Sequence, residues 1–222
     1  MTQPLLSILI PTVVGREEQF KKLVWETIRN QTEFNICIQG RYGQFEGGTE
    51  MKLREVEILY LKDNKEITIG EKREQLYQIA NGKYSWMLDD DDSIASNAIQ
   101  LILEAIKSNP DVDCITFEEN CMMNGKYYKS NHSLEYPDWY GDGSHLLADG
   151  FHYHRTPFYK DVIKTEIAKS VPFQHIRYGE DHLWSIDLKP KLASEIHINK
   201  ELYYYIYEPK EDFNTRYGLN AK

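Results

Sequence analysis

Short apolar runs alternate with stretches of helical period over the first half of the chain. Leu5 to Ile10 is a β-branched-rich segment ended by Pro11, and Phe20, Leu23, Val24 and Ile28 then recur at helical spacing. Asn35 to Ile38 predicts a second strand, followed by a loop marked by Gly40, Gly43, Gly47 and Gly48. Glu57 to Leu61 predicts a third. Leu76, Ile79 and Ala80 form the apolar face of a helix that stops at Asn81-Gly82, and Tyr84 to Leu88 predicts a fourth strand. A helix over Asn97 to Ser108 closes before Pro110, and Cys114 to Phe117 returns to strand.

This alternation implies a mostly parallel sheet covered by helices, in which ligands bind at the carboxyl ends of the strands. After Phe117 the pattern changes. Asn124-Gly125 signals a hairpin, and Tyr127, Tyr128, Tyr136, Trp139 and Tyr140 stand among Gly, Asp and Ser as a long aromatic loop. Helices are expected over Lys160 to Ser170 and Asp181 to Leu188, with Ile196 to Ile198 and Leu202 to Tyr207 as a closing strand pair. Tyr203-Tyr204-Tyr205 reads as strand. The expectation is an α/β fold in one domain spanning residues 1–222.

The chain of 222 residues is 41% hydrophobic, enough for one buried core and short for two. A net charge of −9 without clustered Lys and Arg argues against nucleic-acid binding. Cys37, Cys114 and Cys121 form no C-x-x-C pair and are odd in number, which fits a reducing, cytoplasmic setting. Leu5 to Pro11 lacks a basic leader and is too short to span a bilayer, so a soluble protein without an integral membrane segment is expected.

The fourth strand ends abruptly in Asp89-Asp90-Asp91-Asp92, four carboxylates with no basic residue among them. Such a run repels itself unless something cationic sits in it. A hard divalent metal suits it, because Mg²⁺ or Mn²⁺ takes one or two carboxylates and completes its shell with water and phosphate oxygens. A solvated turn in which Asp92-Ser93 caps the next helix suits it as well. A second acidic element, Tyr178-Gly179-Glu180-Asp181-His182, opens a helix, where a carboxylate is favoured with or without a function.

Taken with Pro11-Thr12 and the helix-opening Gly70-Glu71-Lys72-Arg73, these two acidic elements resemble, in their order, the GT-A fold, family 2 inverting nucleotide-sugar glycosyltransferases, over most of the chain from Leu5 to about Tyr207. The resemblance implies a Rossmann-type GT-A domain with a small antiparallel C-terminal part, divided into a donor half (about 1–118), an acceptor half (about 119–207) and a tail (208–222). Asp89-x-Asp91 matches the family's DxD motif, with Asp91 the chief ligand of Mn²⁺ or Mg²⁺ and Asp89 and Asp90 facing the donor ribose or metal-bound water. Glu180-Asp181 matches its E-D motif, with Asp181 the base that deprotonates the acceptor hydroxyl and Glu180 the alternative. Pro11, Thr12, Val13, Arg16, Lys72 and Arg73 match its donor-binding positions, and His197 is placed as a further metal ligand, with His182 a second possibility. After the second strand this chain has Ile38-Gln39-Gly40-Arg41 where the family usually carries a base-reading acid, which leaves the nucleotide open. The implied partners are a nucleotide-diphosphate sugar and a glycan, protein or small-molecule acceptor.

Other readings compete. A sugar nucleotidyltransferase shares a similar layered fold, but Pro11 to Arg16 is too poor in glycine for its signature. A non-catalytic carbohydrate- or metal-binding module would not need both acidic elements. His152 and His154 would share a face of a strand at a spacing able to hold zinc, with no certain third ligand. Trp139, Tyr140 and Trp184 are candidates to stack on acceptor sugars, since flat aromatic area suits sugar rings as well as cores.

Overall fold

The computed structural model describes residues 3–32, 34–38, 55–141 and 143–207; the expected glycine loop after the second strand and the 208–222 tail lie outside them. A ten-stranded mixed sheet forms the centre, in the order β2-β3-β1-β4-β9-β6-β10-β5, with β7 on β6 and β8 on β7. Strands β1 (Leu6–Val13), β2 (Phe34–Ile38), β3 (Val56–Asp63) and β4 (Tyr84–Met87) are mutually parallel. The near-continuous apolar runs of β1, β3 and β4 follow from burial on both sheet faces. Leu6, Ile8 and Ile10 pack on one side with Val24, Ile28, Ile99 and Ile102. Leu9, Leu59 and Met87 pack on the other with Leu76, Phe173 and Trp184.

The helices are α1 (Glu17–Lys21), which runs on as a π-helical segment over Lys22–Ile28, α2 (Ile69–Ile79), α3 (Ala98–Ser108), α4 (Thr165–Lys169) and α5 (Glu180–Leu188). Asp92-Ser93 does not cap α3. Ser93–Ile94 forms the short strand β5, and α3 begins only after Asn97. The segment expected as one helix from Lys160 is instead strand β9 (Val162–Lys164) followed by the single-turn α4. β9 fills the gap between β4 and β6 and pairs antiparallel with both, so its apolar residues meet a sheet rather than a helix groove.

The expected closing pair is one strand, β10 (Glu195–Tyr207), running parallel to β6 (Cys114–Met123). Irregularities near Glu201 break its side-chain alternation, which is why the sequence reads as two pieces. The hairpin between β6 and β7 (Lys126–His132) turns at Asn124 and Gly125, with φ of 53° and 72°.

Two polar clusters lock this frame. At the amino ends of the strands, buried Glu57 accepts hydrogen bonds from Ser7 Oγ (2.5 Å) and from the Asn81 and Gly82 amides. Farther along, fully buried His132 on β7 lies 3.1 Å from Asp161 and 3.4 Å from Glu119 on β6. Burial by itself would lower the imidazole pKa, but Asp161 and Glu119 outweigh it and push it up to about 9. A group whose pKa is raised on folding stabilises fully below its unfolded value, about 6.5 for histidine, and that contribution is lost as pH rises through the folded value. Thermal stability is therefore expected to fall between about pH 6.5 and pH 9, read by melting temperature across that window. In His132→Gln the variant starts less stable and this fall flattens; an unchanged slope would disprove the charged histidine.

Candidate active site

Two adjoining cavities open at the carboxyl ends of the strands, about 450 Å³ and about 680 Å³ in volume. Arg73 and Asp89 belong to the walls of both. The smaller is lined by Pro11, Thr12 and Val13 from the end of β1, by Arg16, by Lys72 on α2, and by Asp90 and Asp91. The larger is lined by Glu180 and Asp181 at the start of α5, with Trp139, Arg155, Tyr159 and Lys160. The two acidic elements, 90 residues apart in the chain (181 − 91), thus face neighbouring spaces.

The acid run does not repel itself, because the chain supplies three cations to it. Arg16 lies 2.6 Å from Asp90 and 3.0 Å from Asp91. Arg73 lies 3.0 Å from Asp89, and Lys160 lies 3.6 Å from Asp92. Side chains alternate along the run. Asp90 and Asp92 turn inward, where Asp90 accepts from Thr12 Oγ1 (2.5 Å) and Asp92 from Tyr203 (2.7 Å) and the Ile206 amide. Burial pushes the Asp92 carboxyl up to about 7 against the pull of Lys160. Asp89, which accepts from Tyr159 (2.7 Å), and Asp91 face the cavities.

Lys72 and Arg73 do not lie on an exposed helix face. Lys72 is buried, donating to the Thr12 carbonyl (2.7 Å) and paired with Asp63, which fixes α2 to the ends of β1 and β3. Arg73 is buried between Asp89 and Glu180, its guanidinium 3.6 Å from the Tyr159 ring centre. The close approach depends on Gly70, since a Cβ there would fall inside contact distance of the Gln174 carbonyl and hold α2 away from the segment leading to Glu180.

At the start of α5 the two acids differ. Glu180 is buried against Arg73 (3.2 Å), and burial raises its pKa despite that arginine. Asp181 resists the same upward pressure of burial because Arg155, 3.1 Å away, and Arg73 together hold its carboxyl below the usual range. Arg155 lies 3.6 Å from the Phe158 ring centre and 4.6 Å from that of Trp139. Sequence reading missed Arg155, Tyr159, Lys160 and Glu119. The nearest local signal is Phe151 to Arg155, in which the paired histidines stand out more than the arginine that ends it.

Those histidines are engaged elsewhere. His152 accepts from the Lys129 amide (3.0 Å), while His154 contacts Asp149 (2.7 Å) and stacks on Tyr136. His197 sits near the start of β10, 3.0 Å from Thr116, whereas the cavities meet the far end of that strand at Tyr205 to Tyr207; the structure does not bring it to the acid run. His182 lines the larger cavity. Trp139 is half exposed at its rim, and Tyr140, though exposed, lies outside both cavities with its backbone bridged to His154. Trp184 is core: it is 1% exposed, packs in a three-ring cluster with Phe173 and Tyr77, and donates to the Val171 carbonyl (2.9 Å).

Residues 48–167, more than half of the chain, match the family model described as Glycosyl transferase family 2. The chain belongs to that family. Its fold is similar to that of S. aureus TarS 1-349 in complex with UDP-GlcNAc (TM-score 0.62, 17% identity, 93% of this chain and 59% of that one). The same protein in complex with UDP matches with a TM-score of 0.59 at 17% identity, over 92% of this chain and 61% of that one. The chain thus spans about three fifths of the TarS 1-349 chain and 37% of the longer TarS chain it also matches. No curated protein matches it. The mostly parallel GT-A-type sheet expected from the sequence is the one observed. Among the described residues no helix is long and apolar enough to cross a membrane.

Because Trp184 fills the core, Trp184→Ala is expected to cost about 3–5 kcal/mol of stability. Chemical denaturation measures this. Full stability with altered ligand binding would return the residue to the site.

Proposed function

We propose that the protein is an inverting transferase that moves a sugar from a nucleotide diphosphate donor in the smaller cavity to a hydroxyl acceptor in the larger one. The observation that carries this reading is the adjacency of two carboxylate-bearing cavities across the shared wall of Arg73 and Asp89. The donor half is then about residues 1–118 and the acceptor half about 119–207. UDP and UDP-GlcNAc, named with TarS, make a uridine nucleotide the first donor to test. Buried thiols at Cys114 and Cys121 support a reducing, cytoplasmic setting.

Inversion requires one base on the sugar face opposite the departing diphosphate. Asp181 supplies it in this proposal: it lines the acceptor cavity, is held ionised by Arg155 and Arg73, and is more open than Glu180. It takes the acceptor proton as the oxygen bonds to the anomeric carbon and the bond to the diphosphate oxygen breaks. Trp139 at the rim presents a flat face for the acceptor ring.

Among the described residues no group of three His, Cys, Asp or Glu side chains forms a cage for a metal. Asp89 and Asp91 therefore fit Mn²⁺ or Mg²⁺ only as an ion that draws its remaining ligands from diphosphate and water. Such an ion, when bound, neutralises charge developing on the leaving phosphate oxygens. Calorimetry with UDP and GDP is expected to show affinity that depends on Mn²⁺ and on Asp91; wild-type affinity that is the same in Mn²⁺ and in EDTA, or full Mn²⁺-dependent affinity in Asp91→Asn, would remove the metal from the mechanism.

Asp181→Asn keeps the shape and loses the basicity, and is expected to lower turnover on the order of 10²–10⁴-fold at matched donor saturation. Near-normal turnover there, with collapse in Glu180→Gln, would reassign the base. Because Arg155 holds the Asp181 pKa down, Arg155→Met should move the acid limb of the pH–rate profile to higher pH. An unmoved limb would separate Arg155 from the base.

A further inference from the structure

The three cations that neutralise the acid run are not equivalent. Arg73 and Lys160 are buried, with side chains 5% exposed, and each also serves a second buried carboxylate, Glu180 and Glu119 respectively. Neither can leave without stranding charge in the interior, which is strongly unfavourable. Arg16 is different. Its side chain is 32% exposed, it sits at the loop that opens α1, and it spans Asp90 and Asp91 at once. Asp90 has its own anchor in Thr12 and needs the guanidinium less. Asp91 is 41% exposed, and among the described residues Arg16 is the one cation within ion-pair distance of it.

From this asymmetry we infer that Arg16 is an exchangeable counter-ion: it occupies Asp91 in the empty protein and releases it to a divalent cation when a nucleotide diphosphate arrives to receive the guanidinium. The inference rests on the proposed metal–diphosphate reading of the smaller cavity and assigns a residue to the coupling within it. A cation arriving alone must compete with a fixed positive charge 3.0 Å from its ligand oxygen. Once a diphosphate is present, the planar donors of Arg16 match its oxygens, and the guanidinium can turn to them without losing Asp90. Metal and nucleotide thereby favour each other, and the coupling is reciprocal by linkage.

The test is a Mn²⁺ titration followed by the electron paramagnetic resonance of free Mn²⁺, with and without UDP or GDP, on wild type, Arg16→Ala, Arg16→Gln and Asp91→Asn. Melting curves confirm that each is folded, and Arg16→Gln retains a hydrogen bond to Asp90 if the alanine variant does not fold. In wild type, Mn²⁺ alone should bind weakly and tighten about tenfold or more with the nucleotide. In the Arg16 variants, Mn²⁺ alone should bind roughly 2- to 5-fold tighter, in proportion to the loss of a half-exposed ion pair, and the nucleotide enhancement should shrink. An arginine that only holds the donor would leave the affinity for Mn²⁺ alone unchanged, and that result, or weaker Mn²⁺ binding, overturns the inference. Failure of the metal reading looks different: wild type with nucleotide binds no Mn²⁺, or binds it as well after Asp91→Asn, and both proposals then fall together.

Discussion

Four adjacent carboxylates at the end of a buried strand are tolerable only because Arg16, Arg73 and Lys160 converge on them from three other parts of the chain. Much of the site follows from this compensation. Arg73 reaches Asp89 from α2 and in the same span reaches Glu180, so neutralising the acid run also fixes where α5 begins. Lys160 reaches Asp92 and Glu119 together and sets the floor of the larger cavity. Removing either would leave buried carboxylates without a cation, and breaking such pairs from one side is far more costly than the pair is favourable.

The same charges set apart the two adjacent acids of the E-D element. Glu180 is desolvated and spent on Arg73, whereas Asp181 is more open and kept ionised by Arg155. A low pKa makes Asp181 a modest base, and it also guarantees the unprotonated form at neutral pH. Arg155 is itself positioned by the rings of Phe158 and Trp139, so the aromatic rim and the E-D element form one unit.

A second buried network stiffens the part of the chain beyond β6. Glu119, held far below the carboxylate range by Lys160 and His132 against its own burial, joins the floor of the cavity to the β7 strand and to Asp161. The hairpin and aromatic loop therefore hang from a charged core rather than an apolar one. In the first half of the chain apolar packing on both sheet faces dominates, pinned at the strand ends by the Glu57 cluster and by the Lys72–Asp63 pair.

What the sequence determined by itself was local. Periodicity placed β1 to β4, α2, α3 and α5 within a residue or a few, Asn124-Gly125 specified its turn, and the position of the acids after an apolar strand put them at the carboxyl edge of a parallel sheet, where α/β proteins bind ligands. Only the tertiary structure decided which residue met which. The partners of the acid run lie up to 114 residues away, Trp184 proved to be core, His197 fell at the wrong end of its strand, and β10 remained one strand through its irregularities. The physical reason is that hydrophobic period records whether a side chain is turned inward, whereas the pairing of charges depends on which strands are neighbours, a property of topology that no short window of sequence contains.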